Sequence, residues 1–300
     1  MLDADAVRTA VPMTAAVDAV REAFLDLAAG HFVVPQRLSF GGGTTLVMSA
    51  CHTPTSTTVV KTLSLVAGRT PMILGTLVWN TAEGQVVADA IEVTTLRTGA
   101  ASGVATDLLA PPSAGRLALL GTGAQAADQV RAVAAVRPIR RLAVFGRSRS
   151  RALAFAERMA AEFPDVTTRV ASSAADAVSD AEIVCCATSS STPLFDVDDL
   201  PERVHVNAIG SYLPSMRELP AGLLGGAGCV VVDQVEAALE EAGEVIHAVD
   251  NGLVSRASLV DLGDALRTRP EVSGRTVFKS VGLAVQDWAI ARLLGDAASQ

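Results

Sequence analysis

Arg116-Leu117-Ala118-Leu119-Leu120-Gly121-Thr122-Gly123-Ala124-Gln125-Ala126 reads as an apolar strand, a glycine turn and the start of an alanine-rich helix. Glycine at 121 allows a tight turn, glycine at 123 lets a pyrophosphate approach the backbone, and the small Ala126 lets helix pack on strand. A helix from Ala124 to about Val136 would aim its unpaired N–H groups and the positive end of its dipole at that turn. The stretch therefore predicts a dinucleotide-binding Rossmann unit, with Gly121, Thr122, Gly123, Ala124, Gln125 and Ala126 against the cofactor.

Further apolar strands follow at Arg141 to Phe145, Ile183 to Ala187, His205 to Ile209 and Cys229 to Val232, alternating with helical segments. Strands of this kind are buried on both faces, so the expected class is α/β with a Rossmann doubly wound parallel sheet. The second strand should end beside the adenosine ribose, where an acid would bind the 2′-hydroxyl of NAD. Gly146-Arg147-Ser148-Arg149-Ser150-Arg151 stands there instead, offering guanidinium forks and hydroxyls to a 2′-phosphate. Arg147, Ser148 and Arg151 are the candidates, and NADP, with NADPH favoured over NADH, is the expected cofactor; a solvated basic turn is the competing reading. Thr188 and Ser189 either hydrogen-bond the cofactor or cap a helix, and Asp196, Asp198 and Asp199 read as a capping cluster ahead of metal ligands.

On the N-terminal side, Pro12 followed by Ala16, Val17, Val20, Phe24 and Leu27 predicts an amphipathic helix that stops at Gly30. Gln36 to Phe40, Thr44 to Met48, Thr57 to Ser64, Ile73 to Trp79 and Gln85 to Asp89 then read as an antiparallel meander. Helical spacing returns from Glu92 to Leu109 until Pro111-Pro112 stops it, which sets a domain boundary at 112. The last stretch, with Trp288, Ile290 and Leu293 on one side of a helix, either closes the Rossmann domain or crosses back to the N-terminal one.

Among the 300 residues half are hydrophobic and 19% charged, with a net charge of −8. That balance leaves no basic surface for nucleic acid, and the apolar runs are too short for a membrane span, so neither partner is expected. The acidic start Met1-Leu2-Asp3-Ala4-Asp5 lacks the features of a secretory signal, which points to the cytoplasm. Cys51, Cys185, Cys186 and Cys229 form no zinc or disulfide framework and read as core residues. Lys61 and Lys279 are the only lysines in an arginine-rich chain. Unlike guanidinium, an ammonium can be tuned to exchange protons near neutral pH, so Lys61 is a catalytic candidate, while Lys279 is as readily structural.

Lys61 on a strand, Glu92 to Ala101 with Arg97, the Gly121 turn, Val206-Asn207-Ala208-Ile209-Gly210-Ser211 and Val277-Phe278-Lys279-Ser280-Val281-Gly282 occur in order. Together they resemble the ornithine cyclodeaminase/mu-crystallin family. The resemblance implies a homodimer with an α+β substrate-binding and dimerisation domain at 1–112 and 286–300, and an NAD(P)-binding Rossmann domain at 113–285. It implies that Arg37 and Arg97 hold the carboxylate of a small imino or amino acid, that Lys61 is the acid-base residue, and that Gly210, Ser280, Val281 and Gly282 lie on the cofactor. Where family cyclodeaminases carry an Asp that handles the ornithine amine, this chain has Tyr212, as a substrate-orienting or a packing residue. Reduction of an imine or cyclic ketimine bearing an α-carboxylate, or the reverse amino acid dehydrogenation, is thus expected ahead of cyclodeamination or a non-catalytic NADP-dependent binding role.

Overall fold

The computed structural model describes residues 1–41, 44–65 and 73–298. It divides into two compact units, Met1–Ala101 with Leu283–Gln300, and Ser102–Gly282. The division falls inside a long helix, not at Pro111-Pro112 where the 1–112 boundary was expected. The prolines end that helix without separating the two packed bodies.

The first unit opens with α1 (Ala4–Ala10) and α2 (Met13–Ala28), the latter burying Ala16, Val17, Val20 and Phe24 on the predicted face. An antiparallel sheet follows, built from β1 (Phe32–Val33), β2 (Leu38–Phe40), β3 (Thr45–His52), β4 (Thr57–Leu65), β5 (Ile73–Asn80) and β6 (Gln85–Asp89). Its order is β1-β3-β4-β5-β6, with β2 also paired to β3. β4 is therefore central, and Lys61 sits in register between Met48 and Leu77. α3 (Ala90–Leu109) starts where Asp89 accepts the Glu92 N–H, 2.8 Å away.

After Gly282 the chain returns to this unit as its last helix, α11 (Ala284–Ala298), which resolves its two possible homes. Gly295 lets α11 press on β5, because a Cβ there would come within 2.0 Å of the Trp79 ring. The indole N–H of Trp288 donates to Thr57 Oγ1 at 2.8 Å and fixes the start of the helix over β4.

The second unit comprises β7 (Arg116–Leu120), α4 (Ala126–Val136), β8 (Arg141–Phe145), α5 (Arg149–Glu162), β9 (Thr167–Val170), α6 (Ala174–Val178) and β10 (Ile183–Cys186). It continues through β11 (His205–Ala208), α7 (Ala221–Gly226), β12 (Cys229–Val232), α8 (Val235–Glu241), α9 (Gly243–Asp250), β13 (Leu259–Asp261), α10 (Leu262–Thr268) and β14 (Thr276–Lys279). All eight strands are parallel, in the order β13-β12-β14-β11-β10-β7-β8-β9. The chain winds outward from β7 through β8 to β9, then restarts on the other side of β7 with β10. That reversal opens a crevice at the carboxyl ends of β7 and β10, where ligands of open α/β sheets bind.

In the second unit three details differ from the sequence expectation. α4 begins at Ala126 and not Ala124, because Gly123, Ala124 and Gln125 are spent on the turn. β10 and β11 each stop one residue short of the expected end, so that Ala187 and Ile209 already belong to loops. β9, β13 and β14 were not foreseen, β9 because its alternating exposed and half-buried residues make no continuous apolar run.

Candidate active site

In the first unit burial alternates along β4: Thr57, Val59 and Lys61 are buried while Val60 and Thr62 are exposed. Period-two alternation thus turns Lys61 inward, where an apolar side chain would be ordinary. Its ammonium is fully enclosed and donates to Asp287 Oδ1 at 2.8 Å and to Thr94 Oγ1 at 3.2 Å. An ammonium has three protons, so one has no acceptor among the described residues. Arg97, on α3, donates through Nη1 to Gln286 Oε1 and lies with Nε 3.4 Å from Asp287 Oδ1. Arg37, half-buried ahead of β2, is near enough for its charge to act on Lys61.

Burial strips water from Lys61 and is the main reason that its pKa falls from 10.5 to a net value of about 8. Asp287 pushes it back up by charge and hydrogen bond, while Arg97 and Arg37 push it down. Lys61 and Arg97 thus both approach the Asp287 carboxylate. Asp287 Oδ2 and Gln286 Nε2 are buried and meet no hydrogen-bond partner among the described residues. Buried polar atoms left unpaired cost about 1–3 kcal/mol each, so a set of them beside Lys61 and Arg97 fits a small anion with donor and acceptor groups.

Of the residues gathered here, sequence reasoning names Lys61, Arg97 and Arg37 but not Asp287 and Gln286. The signal was available. Burial is unbroken from Ala284 to Ala291, in a stretch whose other residues are apolar apart from Gln286, so an acid at 287 stands out as one that has to meet a cation.

In the second unit the crevice holds a cavity of about 510 Å³. Gly121, Thr122, Gly123, Arg147, Ser148, Arg151, Thr188 and Ser189 all line it, with Phe145 and Leu194. Gly121 has φ +107°, and a Cβ there would meet Ala187 O at 2.4 Å, so only glycine fits. A Cβ on Gly123 would meet nothing within 4 Å, and the N–H groups of Thr122, Gly123 and Ala124 have no acceptor among the described residues. A bare backbone with unused donors at the amino end of α4 is a cradle that fits a pyrophosphate. Arg147, Arg149 and Arg151 are exposed, and among the described residues none is paired with a carboxylate. Ser148 caps α5 by accepting the Arg151 N–H.

The other expected cofactor residues do not line the cavity. Ala124 and Gln125 form the turn, and Ala126 is buried against the sheet. Gly210 is a packing point, where a Cβ would lie 2.1 Å from Thr188 O. The Ser280 hydroxyl and the N–H groups of Val281 and Gly282 all donate to Asp233 Oδ2, at 2.8, 2.9 and 2.7 Å. Thr188 caps no helix; its N–H and hydroxyl donate to Glu218 Oε1, and the Gly210 N–H donates to Glu218 Oε2. Glu218 and Asp233, both missed from sequence, therefore shape the loops at the crevice. Burial pushes the Glu218 carboxyl up, against the pull of Lys279. Tyr212 is half-buried in the loop after β11.

Lys279 is as buried as Lys61 but fully engaged, donating to Ser211 O and Oγ at 2.6 Å each and lying 3.4 Å from Glu244 Oε1. That makes it the structural lysine. Cys185 and Cys186 are core residues of β10 whose thiols burial pushes up, Cys185 to about 12. Asp196 and Asp199 form a capping box on the turn Val197–Asp199, as their spacing suggests.

The sequence matches the ornithine cyclodeaminase/mu-crystallin family over residues 1–300. A Δ1-pyrroline-2-carboxylate reductase of Bacillus cereus is 40% identical over 223 residues, spanning 72% of this chain and 67% of that protein. The structure of the Thermococcus litoralis Δ1-pyrroline-2-carboxylate reductase in complex with NADH and L-proline superposes with a TM-score of 0.92 at 27% identity, over 99% of this chain and 97% of that one. An archaeal alanine dehydrogenase dimer with bound NAD does so with a TM-score of 0.89 at 27% identity, over 99% and 95%. With five ordered motifs, the two-unit fold and a match along its whole length, this chain belongs to the ornithine cyclodeaminase/mu-crystallin family.

Proposed function

We propose that the chain is a nicotinamide-dependent reductase of imines or cyclic ketimines that carry an α-carboxylate, able to run in reverse as an amino acid dehydrogenase. The observation that carries the reading is Lys61, a buried ammonium held near pKa 8 with one proton unspent, among arginines that suit a carboxylate. The names of its relatives support the same reaction class. A bound nicotinamide dinucleotide supplies the hydride. Arg97 and Arg37 bind the substrate carboxylate, and Lys61 Nζ gives its proton to the imine nitrogen, making the adjacent carbon easier to reduce. Asp287 Oδ1 fixes the direction of Nζ and keeps it protonated at neutral pH.

NADPH is the preferred form in this reading, because among the described residues Arg147 and Arg151 offer guanidinium groups not paired with a carboxylate beside Ser148, and no acid lines the cavity to bind a free 2′-hydroxyl. The enzyme acts as a homodimer in the cytoplasm. Exposed Val33, Leu38 and Phe40 on the first-unit sheet suit cover by a second copy, and four free cysteines suit a reducing compartment.

Absorbance of NADPH, with NADH in parallel, is followed against pyrroline-2-carboxylate, piperideine-2-carboxylate, and pyruvate with an amine. Turnover of one of these, lost in Lys61→Met while NADPH affinity holds, is the expected result. Silence across the panel with tight NADPH binding would leave a ligand-binding protein, and ammonia release from ornithine a cyclodeaminase.

A further inference from the structure

α2 ends at Ala28, and Gly30 at φ +78° turns the chain so that His31 comes back over the last helical turn. His31 is held there by its backbone: its N–H donates to Asp26 O at 2.9 Å, and its carbonyl accepts from the N–H and hydroxyl of Thr53 at 2.9 and 3.1 Å. β3 ends alongside at His52, paired in register with Phe32. The His52 ring is wedged between Phe32 and Trp288, with centroids 4.8 and 4.5 Å away. Its Nδ1 lies 2.8 Å from Thr55 Oγ1. Its Nε2, buried and without a hydrogen-bond partner of acceptable geometry among the described residues, faces Asp26 Oδ2 at 3.3 Å. The other carboxylate oxygen, Oδ1, is 3.1 Å from His31 Nδ1.

We propose that Asp26, His31 and His52 form a site for one divalent transition-metal ion of the zinc class, with solvent completing its coordination. The donor set is two imidazole nitrogens and a carboxylate oxygen, the mixture such ions take from proteins. One ligand atom from each residue lies within 4.8 Å of the other two. The two imidazoles face the two oxygens of one carboxylate, at 3.1 Å to Oδ1 and 3.3 Å to Oδ2, so binding would draw the three ligand atoms from within 4.8 Å towards the edge of about 3.3 Å of a tetrahedral ion with bonds of roughly 2.0–2.1 Å. Thr55 can accept from Nδ1 and so present the Nε2 lone pair to the ion, the arrangement usual for metal-bound histidine. Asp26 and His31 are 36% and 47% exposed at their side chains, which leaves an open side for water and for metal entry. The ion would clamp the end of α2 to the end of β3, and through His52 to Trp288 on α11. This site is independent of the proposed reaction.

The test uses untagged, metal-stripped full-length protein titrated with Co²⁺ followed by visible absorbance, and with Zn²⁺ by calorimetry and thermal melting. One saturable equivalent is expected, with a Co²⁺ band displaced by Zn²⁺ and a melting temperature that rises with Zn²⁺. His31→Ala, at an exposed ring, should keep the fold by circular dichroism and lose more affinity than the roughly 10–100-fold typical of outer partners, a range in which Thr55→Ala should fall. His247→Ala, elsewhere on the surface, should bind as wild type. No saturable binding in large molar excess, equal affinity in His31→Ala, or a thiolate charge-transfer band would each overturn the site.

Discussion

Replacing Asp287 by Asn removes one charge from Lys61 while keeping an oxygen that can accept its hydrogen bond. In the native protein, burial and two arginines pull Lys61 down while Asp287 holds it up, for a net value of about 8. An opposite charge this close is worth roughly 1–3 pKa units, so a loss of about two would put Lys61 near 6. At pH 7.5 the protonated fraction would fall from about three quarters to about 3%, a drop in reductive turnover of roughly 25-fold that is recovered as the pH is lowered. The effect on stability has a definite sign. Because the folded pKa lies below the unfolded 10.5, the cost of burying the charged form is fully present below about 8 and is relieved as the pH rises towards 10.5. Asp287→Asn adds about 3 kcal/mol to that cost below pH 6, and the added deficit closes by pH 8. The titration can be read without any substrate, since the chain has only two lysines and isotope-labelled lysine gives two assignable signals. An unmoved or raised Lys61 midpoint, or turnover lost equally at every pH, would refute the argument.

Gly123→Val should leave the melting temperature within a few degrees of wild type, since a Cβ there touches nothing, but should abolish dinucleotide binding measured by fluorescence. Arg147→Gln should weaken NADPH by roughly 10- to 100-fold, the worth of a lost charge-assisted hydrogen bond, and leave NADH affinity unchanged in the same titration. Lys279→Met leaves Glu244 buried without its cation and should destabilise by about 3–5 kcal/mol in denaturant melts.

The Rossmann half was legible because its determinants are local: a strand, two glycines and a helix lie within the span from Arg116 to Val136. The order of the outer strands was not. β14 inserts between β11 and β12 although it is last in the chain, and no feature of Thr276–Lys279 other than apolar continuity announces that neighbour. The meander was legible for the same local reason, since each turn joins adjacent strands, and only the two-residue β1 was too short to give a pattern.

The site follows a harder rule. Lys61 stood out by rarity, and Arg37 and Arg97 by motif, but the acid that sets Lys61 lies 226 positions away on α11. Nothing local to Lys61 carries that pairing. It follows from a consistency argument applied to α11: an acid on a buried helical face has to meet a cation, and a buried lysine on a strand has to meet an acid. The same argument separates the two lysines. Lys279 has Glu244 together with both acceptors of Ser211, and its charge is spent on holding a loop. Lys61 has one carboxylate, which Arg97 also approaches, and one proton with no acceptor among the described residues, which is why the proposed reaction draws on Lys61 and not on Lys279.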